Sequence, residues 1–131
     1  QKERNYIMNT PPTPQAILCI DLKKNRIRIH RQTLHLLGDP DYIQLLVNPS
    51  KMIIAIRRSF QYDHLAHRVS LRKLPDGICC ELYSTDLMRA LRKANAEWEA
   101  GQSFRLYGDV NAQEGIAWFA MKNTLTAGGC L

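Results

Sequence analysis

The sequence lacks the long hydrophobic run that a membrane-spanning helix requires. No stretch of its 131 residues approaches the roughly 18 consecutive apolar residues of such a helix. The beginning of the chain also has no apolar core of the kind that a secretory signal carries. We therefore expect a cytoplasmic protein that has no membrane partner.

Motifs of common catalytic and metal sites are lacking as well. The chain contains no glycine-rich phosphate loop, no HExxH pair, no nucleophile elbow and no conspicuous pair of carboxylates. His64 and His67 have no ligand partners at a diagnostic spacing, and no CxxC pair occurs. The sequence predicts a protein that is not an enzyme and has no metal or cofactor. It also predicts four buried, reduced thiols: Cys19, Cys79, Cys80 and Cys130.

Negative charge is scarce in the first part of the chain. Residues 1–75 carry 13 of the 18 Lys and Arg but 5 of the 12 Asp and Glu, a net charge of +8, whereas residues 76–131 carry −2. This asymmetry indicates either a half that faces a polyanion or a solvated basic surface.

Alternating apolar residues predict a hairpin near the beginning, with its turn at residues 23–25. Ile27 and Ile29 are expected to face the core, so that Arg26 and Arg28 project together into solvent from the opposite face. A short helix and two strands are predicted to follow, at residues 31–37, 42–47 and 52–57.

The same order of elements recurs in the second half. Ser84 is a good N-cap for a helix whose apolar face contains Leu87, Leu91, Ala94 and Trp98, and Gly101 lies just past its end. The predicted strands around this helix are residues 68–73, 78–83, 104–107 and 116–121, with a loop at 108–115. We thus expect an α+β, mostly β fold of two tandem β-β-α-β-β units. The single domain is residues 16–123, with units 16–60 and 66–123, a flexible arm 1–15 and a flexible tail 124–131.

Residues of the first unit carry a resemblance to a known family. They are Asp21, Asn25-Arg26, Ile27-Arg28-Ile29, Leu37-Gly38 and the segment Tyr42 to Ile56. Through these residues, the segment from Ile17 to Arg58 resembles the AbrB/SpoVT/MraZ group of swapped-hairpin regulators. It differs from that family in two respects: His30 stands where the family has a helix-opening proline, and the turn is one residue longer. The resemblance implies DNA binding, a role in transcription regulation and two interleaved units that form a small, pseudo-dimeric barrel.

Basic residues of the first unit are the candidate DNA contacts. Five lie within nine residues, and two at the end of the fourth strand are candidates to extend the patch: Lys23, Lys24, Arg26, Arg28, Arg31, Arg57 and Arg58. Such a row is suited to neutralising phosphates, although a charged face that protects a sheet edge has the same pattern. Arg89, Arg92 and Lys93 form a second cluster, either an ordinary exposed helix face or a second contact.

Large aromatic residues are rare before residue 60, and both tryptophans follow it. Trp98 and Trp118 are predicted to fill the core. The second unit is alternatively a surface for a protein partner or for a second copy of the chain. The competing functional hypothesis is therefore a protein-interaction or scaffolding module that does not bind nucleic acid.

Overall fold

The computed structural model describes residues 15–75, 77–99, 101–121 and the backbone of 125 and 126. The fold is mostly β, as predicted, and forms a curled antiparallel half-barrel. Its elements in chain order are β1 (Ala16–Asp21), β2 (Arg26–His30), α1 (Arg31–Leu36), β3 (Tyr42–Asn48), β4 (Ile53–Arg58), β5 (His67–Arg68), β6 (Leu71–Leu74), β7 (Gly77–Tyr83), α2 (Thr85–Ala94), β8 (Ser103–Asn111), β9 (Ile116–Ala120) and β10 (Leu125–Thr126).

The strands form one sheet in the order β5-β3-β4-β9-β8-β1-β2-β7-β6, and β10 pairs with β8. Every strand pair is antiparallel. Four hairpins supply most of the sheet, and the pairs β4–β9, β8–β1 and β2–β7 connect one hairpin to the next. The sheet curls so that one face encloses the core, while β5 and β6 lie at its two ends.

The alternating residues of the hairpins build the core. Ile27 and Ile29 of β2 are fully buried, as the pattern predicts, and so are Ile54 and Ile56 of β4. Phe119 of β9 is the largest fully buried side chain. Because alternate residues of a strand point to opposite faces, these side chains converge on the inside of the curl.

The two helices lie near opposite ends of β1. The Thr33 hydroxyl of α1 accepts a hydrogen bond from the Ile17 amide at 2.7 Å and donates one to the Ile17 carbonyl oxygen at 3.0 Å. Arg92 of α2 donates to the carbonyl oxygen of Leu22, just past the other end of β1. At about 3.3 Å per residue, the contacts at residues 17 and 22 are roughly 17 Å apart. We call these the α1 end and the α2 end.

Helix α2 begins as predicted and ends earlier than predicted. The Ser84 side chain accepts a hydrogen bond from the Leu87 amide at 3.1 Å, which satisfies one backbone donor of the first turn. The predicted extension to Trp98 is wrong, because Asn95 leaves the helical conformation and its side chain bonds the amide of Glu97 and the carbonyl of Met121. Trp98 instead stacks on Phe104, with ring centroids 4.5 Å apart.

Three other predictions are corrected. The predicted strand at 68–73 is divided into β5 and β6, and the Val69 amide between them bonds the carbonyl of Asp41. The predicted loop at 108–115 is shorter, because β8 continues to Asn111. Trp118 is exposed, since Ala117 and Phe119 occupy the inward positions of β9.

Several predictions fall on the chain ends. The predicted arm lies outside the described residues except for Gln15, and the predicted tail lies outside them except for Leu125 and Thr126 of β10. Cys19, Cys79 and Cys80 are buried as predicted, and none is joined to another by a disulfide, whereas Cys130 lies outside the described residues. Within the described ranges, no helix is long and apolar enough to cross a membrane.

Candidate nucleic-acid interface

The seven predicted DNA contacts do not form one continuous face. The structure divides them into an exposed pair in the β1–β2 turn at the α2 end, a buried pair within β2, and three residues at the α1 end. In that order, the groups are Lys23 and Lys24; Arg26 and Arg28; and Arg31, Arg57 and Arg58. The structure therefore contains two separate surfaces with basic residues and one buried cluster, and not the predicted row of cations along one strand.

The prediction that Arg26 and Arg28 project into solvent is wrong, since they are only 6% and 8% exposed. Strand β2 lies between β1 and β7, and each neighbour supplies a carboxylate opposite an arginine. The Arg26 guanidinium donates to Asp21 Oδ2 at 3.0 Å, and Arg28 Nε donates to Glu81 Oε2 at 2.7 Å. These charges are thus compensated within the protein.

Glu81 is the centre of this buried cluster. Its side chain is 3% exposed, and three guanidinium groups surround it: Arg28, Arg72 at 2.6 Å and Arg26 at 3.7 Å. Burial alone would raise the pKa of Glu81, but the hydrogen bond from Arg28 and the positive charges of Arg28, Arg72 and Arg26 outweigh burial and lower it. The carboxylate therefore stays ionised and offsets the charge of the arginines.

Asp21 shapes the turn that presents the two exposed lysines. Its Oδ1 accepts hydrogen bonds from the backbone amides of Lys23 at 3.0 Å and Lys24 at 3.1 Å. This side chain to backbone pattern is typical of aspartate at a turn. Asn25 completes the turn with a φ of 51°, a left-handed conformation that asparagine tolerates. Both lysine side chains are consequently held on the outside of the protein.

Helix α2 joins this turn through Arg92. Its Nη2 donates to the Leu22 carbonyl oxygen at 2.9 Å and approaches Asn25 Oδ1 at 3.4 Å. Arg89 lies one turn before Arg92 on the helix, Lys93 lies one turn after Arg89, and both Arg89 and Lys93 are exposed. Asp86 offsets part of this charge through its ion pair with Arg89 at 3.0 Å. We call this basic group the turn–helix surface: Lys23, Lys24, Arg89, Arg92 and Lys93.

Two of the three arginines at the α1 end donate hydrogen bonds to protein oxygens. Arg58 donates to the carbonyl oxygens of Gln113 at 3.0 Å and Leu37 at 3.4 Å, and Arg57 donates to the side-chain oxygen of Gln44. Arg31 is exposed on α1. Carboxylates also lie at this end, because Asp63 and Glu114 line a cavity together with Arg57 and Arg58. The arginines of the α1 end are therefore interspersed with carboxylates.

The sequence analysis did not predict the structural roles of three residues that organise these surfaces: Asp21, Glu81 and Arg92. Asp21 had a local signal, because an aspartate at a turn commonly accepts a hydrogen bond from the backbone amide two residues further on. Glu81 and Arg92 had none, since their partners Arg28 and Leu22 lie 53 and 70 residues away along the chain. Pairing at that distance depends on the order of strands in the sheet.

His64 and His67 take no part in a metal cluster, and no group of three or more His, Cys, Asp or Glu within the described ranges is arranged to hold a metal ion. In comparisons with known proteins, no family model, no curated protein and no solved structure matches this chain.

Proposed function

We propose that this protein binds duplex DNA through the turn–helix surface. The observation that carries the proposal is the hydrogen bond from Arg92 to the Leu22 carbonyl oxygen, which joins the lysine turn to the basic side of α2. Lys23 and Lys24 are exposed beside that junction. The surface thus combines cations from two elements on one end of the fold.

The chemistry of the surface fits a phosphate backbone. Lysine and arginine side chains that contact phosphates displace condensed counterions, so the logarithm of the binding constant falls linearly with the logarithm of salt concentration. Asp21, the nearest carboxylate to the lysines in sequence, is 8% exposed and paired with Arg26. It therefore contributes little negative potential to an approaching phosphate.

The finer proposal is a transcription regulator of the AbrB-like type, built from a duplicated unit. The sheet order supports it. Suppose that β1, β2, β3 and β4 are exchanged with β6, β7, β8 and β9, in that order. The β1–β2 pair then corresponds to β6–β7, and the β3–β4 pair corresponds to β8–β9. The same exchange leaves the pairs β2–β7 and β4–β9 unchanged. Each helix also follows the second strand of its unit. Interleaved hairpins of this kind are what the family resemblance implies.

The open side of the half-barrel fits the same account. Under that exchange, the β1–β8 pair corresponds to a β3–β6 pair. Strand β6 is one end of the sheet, and β3 lies next to β5 at the other end. A β3–β6 pair in place of the β3–β5 pair would close the sheet into a barrel, which is the arrangement that the proposed duplication implies.

The test is duplex binding measured by fluorescence anisotropy over a series of salt concentrations. The variant Lys23→Ala/Lys24→Ala removes two cations of the turn–helix surface. Arg31→Ala/Lys73→Ala is the matched control, because it removes two exposed cations located toward the α1 end. Each phosphate contact contributes about 0.9 to the slope of log affinity against log salt, so the first variant should lower the slope by roughly 2.

The control variant should bind nearly as the unmodified protein does. Equal losses for both double variants would contradict this site, because the effect would then follow total charge and not position. Absence of duplex binding at low salt would overturn the proposed function itself.

A further inference from the structure

Cys19 lies on the outer face of the curled sheet, away from the hydrophobic core. Its neighbours in β1, Leu18 and Ile20, belong to the core cluster, and successive residues of a strand point to opposite faces. Cys19 is only 1% exposed, although it is not part of that cluster. Cys80 is also fully buried, but it does belong to the core cluster. The protein therefore contains buried thiols with different surroundings.

Basic side chains flank Cys19 on both sides across the sheet. In the register of the strands, Cys19 is the partner of Arg28 in β2 and of Arg105 in β8. Directly opposed residues have Cβ atoms about 4.5 to 5.5 Å apart, so both guanidinium groups are within reach of the thiol. His30, on the same face of β2 as Arg28, places its Nε2 at 3.6 Å from Cys19 Sγ. The thiol therefore lies among three basic side chains.

Carboxylates compensate two arginines of this face but not the third. Arg28 is paired with Glu81, and Arg26 is paired with Asp21, as described above. Within the described residues, no carboxylate forms an ion pair with Arg105. An uncompensated positive charge therefore lies on the residue directly opposite the thiol. Such a charge stabilises the thiolate, which is the nucleophilic form of cysteine.

The contacts of Arg105 indicate a role beside the thiol. Hydrogen bonding to the side chains of Tyr107 and Cys19 raises the pKa of Arg105 above its ordinary value. Its Nε is buried and has no hydrogen-bond partner within the part of the chain that the structure describes. Buried donors are satisfied in most native structures, so an unsatisfied one favours a state of the protein that supplies an acceptor. An oxygen atom bound to the sulfur of Cys19 would be such an acceptor.

We propose that Cys19 is a site of oxidation by hydroperoxides, which convert its thiol to a sulfenic acid. The thiol gives its proton to His30, and the thiolate sulfur attacks one oxygen of hydrogen peroxide. The S–O bond forms as the O–O bond breaks, so sulfur loses two electrons and each peroxide oxygen gains one. His30 returns the proton to the leaving hydroxide, which departs as water. Arg105 stabilises the thiolate before the reaction and donates to the new oxygen after it.

The position of Cys19 permits access by a small oxidant. Hydrogen peroxide is close to water in size, and the outer face meets solvent at Tyr107, which is 44% exposed, and at the half-buried His30. Side chains at such positions change rotamer within nanoseconds. Hydrogen peroxide therefore reaches the thiol by movement of side chains, without unfolding of the sheet.

The test treats the full, reduced chain with hydrogen peroxide for a series of times. Catalase then removes the excess peroxide, dimedone in denaturant traps sulfenic acids, and peptide mass spectrometry gives the rate of oxidation at each cysteine. Cys80 is the internal control, because it is equally inaccessible but lies in the core, where burial raises the pKa of its thiol. We expect Cys19 to be oxidised at least about tenfold faster, since the thiolate fraction changes tenfold for each pKa unit. Equal rates at the two cysteines would overturn the proposal.

Arg105→Met tests the contribution of the uncompensated charge, because methionine keeps most of the apolar stem and removes the guanidinium. We expect oxidation of Cys19 to slow by about tenfold near pH 7, and the pH of half-maximal rate to rise, because less of the thiol is ionised. Arg89→Met is the control, since it removes an exposed arginine of α2 and should leave the rate at Cys19 unchanged. Faster oxidation of Cys19 in Arg105→Met would overturn the proposal, because Arg105 would then shield the thiol and not activate it.

His30→Gln tests the proton transfer in the same assay. Glutamine keeps a polar side chain but cannot carry a proton from the thiol to the leaving hydroxide, so Cys19 should be oxidised at least about tenfold more slowly. An unchanged rate would contradict the proton-transfer step of the proposal. The oxidation requires no nucleic acid, so its failure would leave the proposed duplex binding intact.

Discussion

Arg92 Nη2 and the carbonyl oxygen of Leu22 lie 2.9 Å apart, although 70 residues separate them in the chain. The bond connects α2 of the second half to the β1–β2 turn of the first. Neither element alone presents the five cations of the turn–helix surface. The proposed DNA interface is therefore a product of the tertiary fold, and it depends on the pairing of strands from both halves.

Replacement of Glu81 by alanine should strongly destabilise the protein. The change leaves the guanidinium groups of Arg26, Arg28 and Arg72 without the carboxylate they share. Removal of one partner from a buried ion pair typically costs about 3 to 5 kcal/mol. Urea unfolding followed by circular dichroism measures the loss as a lower transition midpoint at an unchanged slope.

Asp86→Ala is the control for that experiment. Asp86 also forms an ion pair with an arginine, but both partners are well exposed. Such pairs contribute roughly 0 to 1 kcal/mol, so this variant should unfold close to the unmodified protein. Similar midpoints for the two variants would mean that the Glu81 cluster contributes no more than a surface pair.

Stability should decrease on acidification through the titration of Glu81. Its pKa is lowered in the folded protein, so the unfolded chain binds the proton more tightly. The resulting stabilisation is complete above the usual value near 4.5 and is lost as pH falls through the lowered value of the folded state. Urea unfolding of Glu81→Gln should show a deficit at about pH 7 that shrinks toward about pH 3. A constant deficit across that range would refute the coupling.

Alanine at Gly115 should destabilise the protein more than alanine at Gly101. Both glycines have a positive φ, at 65° and 89°, so each substitution carries the strain of a left-handed alanine. A Cβ at Gly115 would lie 2.0 Å from Arg58 Nε, whereas nothing lies within 4 Å of a Cβ at Gly101. We expect an additional cost of about 1 to 3 kcal/mol at Gly115, measured by thermal and urea unfolding. Equal losses of stability in the two variants would show that the Arg58 side chain moves away from the new Cβ at no cost in free energy.

The sequence predicted the hairpins well because their signal is local. The alternation of apolar residues in β1 and β2 depends only on the pleat of a strand, and Ser84 at the start of α2 depends only on the orphan amides of the first turn. The end of α2 was harder to predict. Trp98 continues the apolar spacing of a helix, but it is buried by stacking on Phe104 after the chain has left the helix at Asn95.

The candidate site was harder to predict for a related reason. The alternation of residues along β2 places Arg26 and Arg28 on the face opposite Ile27 and Ile29. Whether that face is exposed depends on which strands flank β2. Strand β7 supplies Glu81 from 53 residues beyond Arg28, and that pairing has no local signature. The exposed lysines of the β1–β2 turn were predictable, whereas their junction with Arg92 was not.

The most direct test of the DNA interface is a map of backbone amide chemical shifts during titration with a short duplex at low salt. Binding at the turn–helix surface predicts the largest shift changes at residues 22–25 and 85–94. Residues 31 and 57–62 of the α1 end should change little. Changes concentrated at the α1 end, or no changes at residues 22–25, would contradict the account.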